Sequence, residues 1–297
     1  MRQFLLHTIG FVVIVGISFL ALLSRADGSY DAFYLRFTSP QQQNMILGTS
    51  RAAQGLVPDV LDKLLNRSVY NYSFTLSTSP YGPVYLESIK KKLDPTVTDG
   101  VFILSVDPWS LSNKNIKKDD SDLFRENKSF LATTCWVSMK PNFEYLLENL
   151  DPVYRILLPK RKTMKLHDNG WLEITVPMDE QSVLTRTNGK LKSYEEDLDR
   201  FEVSARRIAA LEETVSFLRT KGTVYLVRLP VHPGMARLEA QLMPDFEERL
   251  LPAISAATDF LDLSGYNDKL RYTDGNHLHK TSGKTVSGII GDWIGKR

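Results

Sequence analysis

The first hydrophobic feature of the chain is a long apolar run near its N-terminus. Residues 4–23 read FLLHTIGFVVIVGISFLALL and contain no acidic or strongly basic side chain. A helix needs about 20 apolar residues to cross the hydrocarbon core of a bilayer, and in lipid its backbone groups must pair within the segment. The run therefore predicts a transmembrane helix.

A cleaved signal peptide is the alternative interpretation of this run. Its hydrophobic region would be shorter and would lead into a small-x-small cleavage site, whereas Ser24-Arg25-Ala26-Asp27 follows here. We expect an uncleaved anchor over residues 1–27. The positive-inside rule gives almost no preference for orientation, because Arg2 lies on one side of the helix and Arg25 on the other. A short tail ahead of a large domain predicts that the domain lies outside the cytoplasm, at the periplasmic or cell-surface side.

From residue 28 onward, short apolar runs alternate with segments of helical spacing. The strand-like runs cover residues 44–47, 69–74, 101–106, 223–229 and 259–263, and the helical segments cover residues 58–65, 83–93, 194–220, 239–254 and 281–294. Strands that alternate with helices indicate a parallel sheet. The mostly apolar run at 101–106 is typical of a strand covered on both faces. We predict one α/β domain over residues 28–297, a three-layer doubly wound sheet.

A long segment interrupts this alternation between the third strand and the next helix. It spans roughly residues 108–193, far more than a usual connection, and it contains Trp109, Trp136 and Trp171. Its own apolar content predicts an ordered insertion or cap. Such an insertion either shapes a substrate cleft or serves the fold alone.

Composition removes several classes of function. Lys and Arg number 37 and Asp and Glu 35, a net charge of +2, so there is no general reason to expect a nucleic-acid partner. Cys135 is the single cysteine, which excludes an internal disulfide and a cysteine-based zinc cluster. We expect it to be a small buried side chain.

Candidate chemistry lies after the first strand and before the last helix. Ser50 ends the turn Gly48-Thr49-Ser50, and Asp274 and His277 belong to the stretch Thr273-Asp274-Gly275-Asn276-His277. A nucleophilic serine needs a base, and the base needs an acidic partner. Taken alone, a serine before a helix is more often a cap, and Asp274 has the same alternative interpretation. One His and one Asp are too few ligands to predict a metal site.

These two motifs, in this order, resemble those of the SGNH (GDSL-type) hydrolase superfamily. The resemblance implies an SGNH/flavodoxin-like sheet, with Ser50 as nucleophile, His277 as general base and Asp274 as its orienting partner. It also implies acyl-ester hydrolysis or acyl transfer with no metal or organic cofactor.

The middle motifs of the family depart from its pattern. Ser73 in Asn71-Tyr72-Ser73 stands where the family has Gly, and the resemblance implies its backbone N–H as an oxyanion donor. Asp107 stands where the family has the Asn that donates to the oxyanion. An ionised Asp107 only accepts hydrogen bonds. Either another donor, such as Arg51 or a residue of the insertion, replaces that Asn, or the protein is a non-catalytic binding relative. His232, after the fourth strand at the same predicted edge, is either a substrate contact or structural.

The anchor adds a narrower resemblance, to membrane-anchored SGNH-like proteins of bacterial cell envelopes. By analogy, it implies an O-acylated surface glycan or envelope polymer, such as an exported polysaccharide or teichoic acid, as substrate. It also implies a multi-spanning acyltransferase as partner. The alternative is a membrane-tethered binding or scaffold subunit of such a complex. A flavodoxin-like nucleotide binder is disfavoured because neither GxGxxG nor GxxxxGK[ST] is present.

Overall fold

The structure, a computed structural model, describes residues 1–26, 31–114, 124–149 and 163–297. Helix α1 (Arg2–Leu23) is 22 residues long with a mean hydropathy of 2.4, and its apolar stretch is exposed. It is long and apolar enough to span a membrane, as predicted. The predicted boundary between anchor and domain, at residues 27 and 28, lies outside the described residues.

The remaining helices and strands follow in chain order. The helices are α2 (Ala32–Thr38), α3 (Ser50–Gly55), α4 (Pro58–Leu65), α5 (Pro83–Lys92), α6 (Phe130–Thr133), α7 (Phe143–Glu148), α8 (Glu180–Leu198), α9 (Ala205–Arg219), α10 (Pro233–Leu242), α11 (Phe246–Ala256) and α12 (Lys280–Ile294). The strands are β1 (Met45–Leu47), β2 (Tyr70–Asn71), β3 (Gly100–Ser105), β4 (Ser112–Lys114), β5 (Met164–Leu166), β6 (Leu172–Ile174), β7 (Phe201–Val203), β8 (Gly222–Arg228) and β9 (Asp259–Asp262).

Five of these strands form one parallel sheet in the order β2-β1-β3-β8-β9. Its centre is the β3–β8 pair, in register from Gly100 opposite Gly222 to Ser105 opposite Val227. The predicted α/β class with a parallel sheet is confirmed. The strand order reverses between β1 and β3, and the crevice at such a switch point is where open α/β sheets bind ligands.

Helices cover both faces of the sheet because successive strand residues point to opposite sides. Phe102 and Leu104 of β3 join one core with α5, α9 and α11, while Val101 and Ile103 join a second core with α4 and α12. Each of these four side chains is at most 8% exposed. Burial on both faces is why β3 reads as a continuous apolar run.

Two predicted helices are wrong. The segment 194–220 is the end of α8, then strand β7 and helix α9. Phe201–Val203 pairs antiparallel with β4, and the Ser204 side chain starts a new helix by accepting from the backbone N–H of Arg207. The segment 239–254 is divided between α10 and α11, because Pro244 disfavours helical geometry at Met243. The predicted second strand, 69–74, is reduced to β2.

The segment between β3 and α9 is tied to the sheet domain by a buried ion pair. Nη1 and Nη2 of Arg207, on α9, lie 2.8 and 3.0 Å from the Glu126 carboxylate, and Nη1 also donates to the Tyr81 carbonyl at 2.8 Å. Residues 115–123 and 150–162 of the predicted insertion lie outside the described residues. Cys135, in the same segment, is exposed and not buried as predicted, since it lies in the surface connection between α6 and α7.

The end of α1 belongs to the domain. Leu23 is fully buried in the core that also contains Phe37 and Tyr145, and α1 packs there against α7. The anchor helix and the domain therefore share one hydrophobic core.

Candidate active site

Ser50 is held by a tight corner at the carboxyl end of β1. The chain turns at Gly48, whose φ is +144° and where a Cβ would lie 3.0 Å from Cβ of Ser105. The Gly48 carbonyl accepts from the Ser79 hydroxyl at 2.7 Å, and its N–H donates to the Tyr85 hydroxyl at 3.1 Å. Only glycine adopts this positive φ without strain and leaves room for the close approach of Ser105. Ser50 follows as the first residue of α3.

Asp274 and His277 are brought together by a turn that Asp274 itself builds. Its Oδ1 accepts from the backbone N–H groups of Asn276 at 2.7 Å and His277 at 2.8 Å. The Thr273 N–H donates to the His277 carbonyl at 2.9 Å and closes the loop. Nε of Arg186, on α8, donates to the Thr273 carbonyl at 2.8 Å. The aspartate orients the histidine through both backbone and side chain.

The three side chains predicted as catalytic form one hydrogen-bonded series. Oγ of Ser50 lies 2.9 Å from Nε2 of His277, and Nδ1 of His277 lies 3.0 Å from Oδ2 and 3.1 Å from Oδ1 of Asp274. A carboxylate at Nδ1 favours the tautomer that leaves Nε2 free to accept the serine proton. The arrangement has the distances needed for general-base activation of a serine hydroxyl.

Asp274 is ionised in this setting. Burial raises the pKa of Asp274, but the hydrogen bond and charge of His277 and the Asn276 N–H lower it more, to about 2. The Lys190 ammonium acts in the same direction. An ionised Asp274 stabilises the imidazolium that forms when His277 takes a proton.

Ser50 and His277 open into a cavity of about 240 Å³. Trp109, Tyr194 and Phe201 line it with aromatic surface, and Arg125 and Lys190 bring positive charge opposed by Asp197. Its remaining lining comes from Thr75, Leu76, Ser77 and Asn276. Helix α8 contributes three of these side chains and so forms one wall of the cavity.

Arg51 contacts Asn276, next to His277, and does not line the cavity. It is 5% exposed, and its Nε and Nη2 donate to Oδ1 of Asn276 at 2.9 and 2.6 Å. Nη1 lies 2.5 Å from the Glu239 carboxylate and 3.7 Å from that of Asp107. Burial lowers the pKa of Arg51, but the charges of Asp107 and Glu239 outweigh this effect. The net pKa is therefore above its usual value. Burial and the charge of Asp107 raise the pKa of Glu239, against the opposing effect of Arg51.

Three other residues predicted for the site serve the backbone. The backbone N–H of Ser73, the predicted oxyanion donor, donates to Oδ1 of Asn71 at 3.2 Å, and the buried Ser73 hydroxyl donates to the Ile46 carbonyl at 3.4 Å. Oδ1 of Asp107 accepts from the Ser110 N–H at 3.0 Å and caps a short 3₁₀ helix. His232 caps α10 through Nδ1 and lines a different cavity, of about 420 Å³.

Asn276 and Glu239 were missed from the sequence. Asn276 lies inside the motif of Asp274 and His277, and only its contact with Arg51 distinguishes it from a turn residue. Glu239 stands four positions after the buried Met235 on α10. Residues four apart share one face of a helix, so Glu239 lies on the same buried face as Met235. A carboxylate on such a face indicates a buried partner of opposite charge, because charged side chains are almost never fully buried unless they are paired.

No protein-family model and no curated protein matches this chain. Among the residues that the structure describes, no group of three or more His, Cys, Asp and Glu side chains is arranged to hold a metal ion.

Proposed function

We propose that the protein is a membrane-anchored serine acyl-ester hydrolase or O-acyltransferase of the SGNH type. The observation that carries this proposal is the series Ser50–His277–Asp274, in which both side-chain hydrogen bonds are 3.0 Å or shorter. Residues from opposite ends of the chain make this contact at the carboxyl edge of a parallel sheet, where α/β proteins bind ligands.

The proposed reaction begins with attack on an acyl ester. Oγ of Ser50 bonds to the acyl carbon while its proton passes to Nε2 of His277, and the carbonyl electrons move to the oxygen. When the carbonyl re-forms, the bond to the alcohol breaks and His277 gives that alcohol its proton. Water or an acceptor hydroxyl then attacks the acyl carbon while His277 takes its proton. The bond from the acyl carbon to Oγ breaks, and His277 returns the proton to Ser50. Asp274 keeps its charge throughout and stabilises the imidazolium.

The proposed substrate is an O-acyl group on a surface glycan or envelope polymer, outside the cytoplasm. The anchor supports a location at a membrane surface, since α1 is long enough to span the bilayer. The cavity offers aromatic faces and polar groups together, a mixture suited to sugars. A multi-spanning acyltransferase as partner belongs to this proposal by resemblance alone.

One observation favours a second function, that of a non-catalytic binding or scaffold subunit. Asp107 stands where the SGNH pattern has an oxyanion donor, and its carboxylate is turned toward the Ser110 N–H and Arg51. A protein with this fold and no oxyanion donor would bind acylated polymers without turning them over.

Labelling by a fluorophosphonate distinguishes the two functions, because it needs an activated serine but no natural acceptor. The full chain in detergent micelles is treated with the probe and digested, and the modified residue is found by mass spectrometry. We expect the label on Ser50, and none on the Ser50→Ala or His277→Ala variants. An unlabelled Ser50 in the unmodified protein would overturn the enzyme proposal in favour of the scaffold.

Turnover of a chromogenic acetate by the same preparation measures hydrolysis. Addition of a soluble sugar alcohol then separates the two reactions. A transferase yields the acetylated sugar in competition with free acetate, whereas a hydrolase yields acetate alone.

A further inference from the structure

We infer that the side-chain amide of Asn276 is the oxyanion donor of this site, held in place by Arg51. The inference rests on the proposed function and deepens it. Attack by Ser50 puts negative charge on the substrate oxygen, and a preorganised N–H donor aimed at that oxygen is worth a large part of the rate. Asp107 stands at the position of the usual donor, and a carboxylate has no hydrogen to donate.

The orientation of the Asn276 amide follows from its contacts. Nε and Nη2 of Arg51 both point at Oδ1, at 2.9 and 2.6 Å. A guanidinium has donors only, so the amide oxygen must face it and the amide nitrogen must face the other way. Nδ2 lies 3.4 Å from Nε2 of His277, the atom that Ser50 Oγ approaches at 2.9 Å. Nδ2 of Asn276 and Oγ of Ser50 therefore both approach the same ring nitrogen, and both residues line the cavity.

The donor becomes available as the reaction proceeds. In the resting site, Nε2 of His277 presents a lone pair to Ser50 and, weakly, to Asn276. Once Nε2 has taken the serine proton it no longer accepts, and the Asn276 N–H is released when the substrate oxygen gains its charge. An interaction stronger in the transition state than in the ground state raises kcat and not affinity.

Arg51 is a positioning residue in this arrangement. The Glu239 carboxylate at 2.5 Å and the Asp107 carboxylate at 3.7 Å hold the guanidinium behind the amide. Two hydrogen bonds from a cation fix the amide plane and polarise its N–H groups. Asp107 thus retains a connection to catalysis, since it holds the cation that orients the replacement donor.

The test uses Asn276→Asp and Asn276→Ala in the full chain in detergent. An aspartate keeps the shape of the side chain and an oxygen that accepts from Arg51, but it has no N–H to donate. It therefore remains as the test variant if the alanine variant unfolds. Asn188→Asp, at an exposed position of α8, is the matched control. The readouts are kcat and KM for a chromogenic acetate and the second-order rate of fluorophosphonate labelling at Ser50, each compared at the optimal pH of each variant.

We expect both Asn276 variants to lose about 10²- to 10³-fold in kcat and in labelling rate, with KM nearly unchanged, as for removal of one oxyanion donor. Arg51→Lys should show the same split between kcat and KM with a smaller loss. If the Asn276→Asp variant reacts as fast as the unmodified protein, Asn276 is not the oxyanion donor, while the proposed function stands. If Ser50 of the unmodified protein is not labelled and the protein does not hydrolyse the chromogenic acetate, the proposed function fails. The role of Asn276 then fails with it.

Discussion

Ser50 and His277 stand 227 positions apart in the chain, yet Oγ of one and Nε2 of the other are separated by 2.9 Å. Strand β1 carries the serine to the sheet edge, and the turn before α12 carries the histidine. The order of strands in the sheet brings these two segments to the same edge.

The members of the catalytic series should act as one unit. Ser50→Ala and His277→Ala should each lower kcat for a chromogenic acetate by at least about 10³-fold, and the double variant should be little worse than either alone, because both remove the same step. Ser216→Ala, an exposed serine of α9, should keep full activity. Losses that multiply in the double variant would contradict a shared step.

Asp274 should make stability depend on pH in the acid range. Its pKa is lowered to about 2 in the fold, below the unfolded value, so its stabilising effect is complete above the unfolded pKa and is lost as pH falls through the folded one. The free energy of unfolding of the unmodified protein should drop, relative to Asp274→Asn, by about 2 kcal/mol between about pH 5 and pH 2. Denaturant titrations at several pH values measure it, and parallel curves for the two proteins would count against an ionised, stabilising Asp274.

Gly48→Ala should impair catalysis more than folding. The new methyl group would lie 3.0 Å from Cβ and 3.1 Å from the carbonyl oxygen of Ser105, at a φ that costs roughly 1–3 kcal/mol for a residue with a side chain. A shift of the corner moves Ser50 away from His277, and a displacement of about 1 Å can cost about 10²-fold in rate. Steady-state kinetics and thermal unfolding measure the two effects.

The control for this substitution is Gly288→Ala, because nothing lies within 4 Å of a Cβ added there. It should leave activity unchanged. Equal activity of both alanine variants would show that the corner tolerates a side chain.

Arg51→Met should destabilise the protein strongly. It leaves the carboxylates of Glu239 and Asp107 buried without their cation, and breaking a buried ion pair from one side costs about 3–5 kcal/mol. Arg51→Met combined with Glu239→Gln should recover part of that loss, since one uncompensated charge is removed. Thermal and denaturant unfolding give the values, with Arg200→Met, whose side chain is 65% exposed, as the reference. A loss no larger than for Arg200→Met would refute the network.

The parallel sheet was predictable because β3 and the middle of β8 are apolar and Pro58 and Pro83 mark helix starts. The placement of Ser50 and His277 at one sheet edge followed from their positions after predicted strands, and their pairing followed from the family resemblance. The strand at Phe201–Val203 was not predictable, because its pairing with β4 is a tertiary contact between residues some ninety positions apart along the sequence. The link from Arg51 to Asn276 was out of reach for the same reason: each residue alone reads as an ordinary turn or helix residue.

Removal of Leu23 by truncation should destabilise the domain. A form that begins at residue 27 lacks this side chain, which is fully buried in the domain core. It should therefore be less stable than a form that begins at residue 20, by about 2–5 kcal/mol, the usual effect of emptying a leucine site. Unfolding of the two forms side by side measures the difference, and identical midpoints would mean that Leu23 contributes nothing.

Under the proposed function, the burial of Leu23 also determines how the active site would meet its substrate. A domain joined to its anchor by a loose tether samples all orientations and distances, but rotation here would pull Leu23 out of its packing. With α1 in the bilayer, the mouth of the cavity would keep one height and one tilt above the lipid. Only acyl groups presented within that narrow layer would come into reach, so geometry, before any chemical recognition, would select among the polymers at the membrane surface.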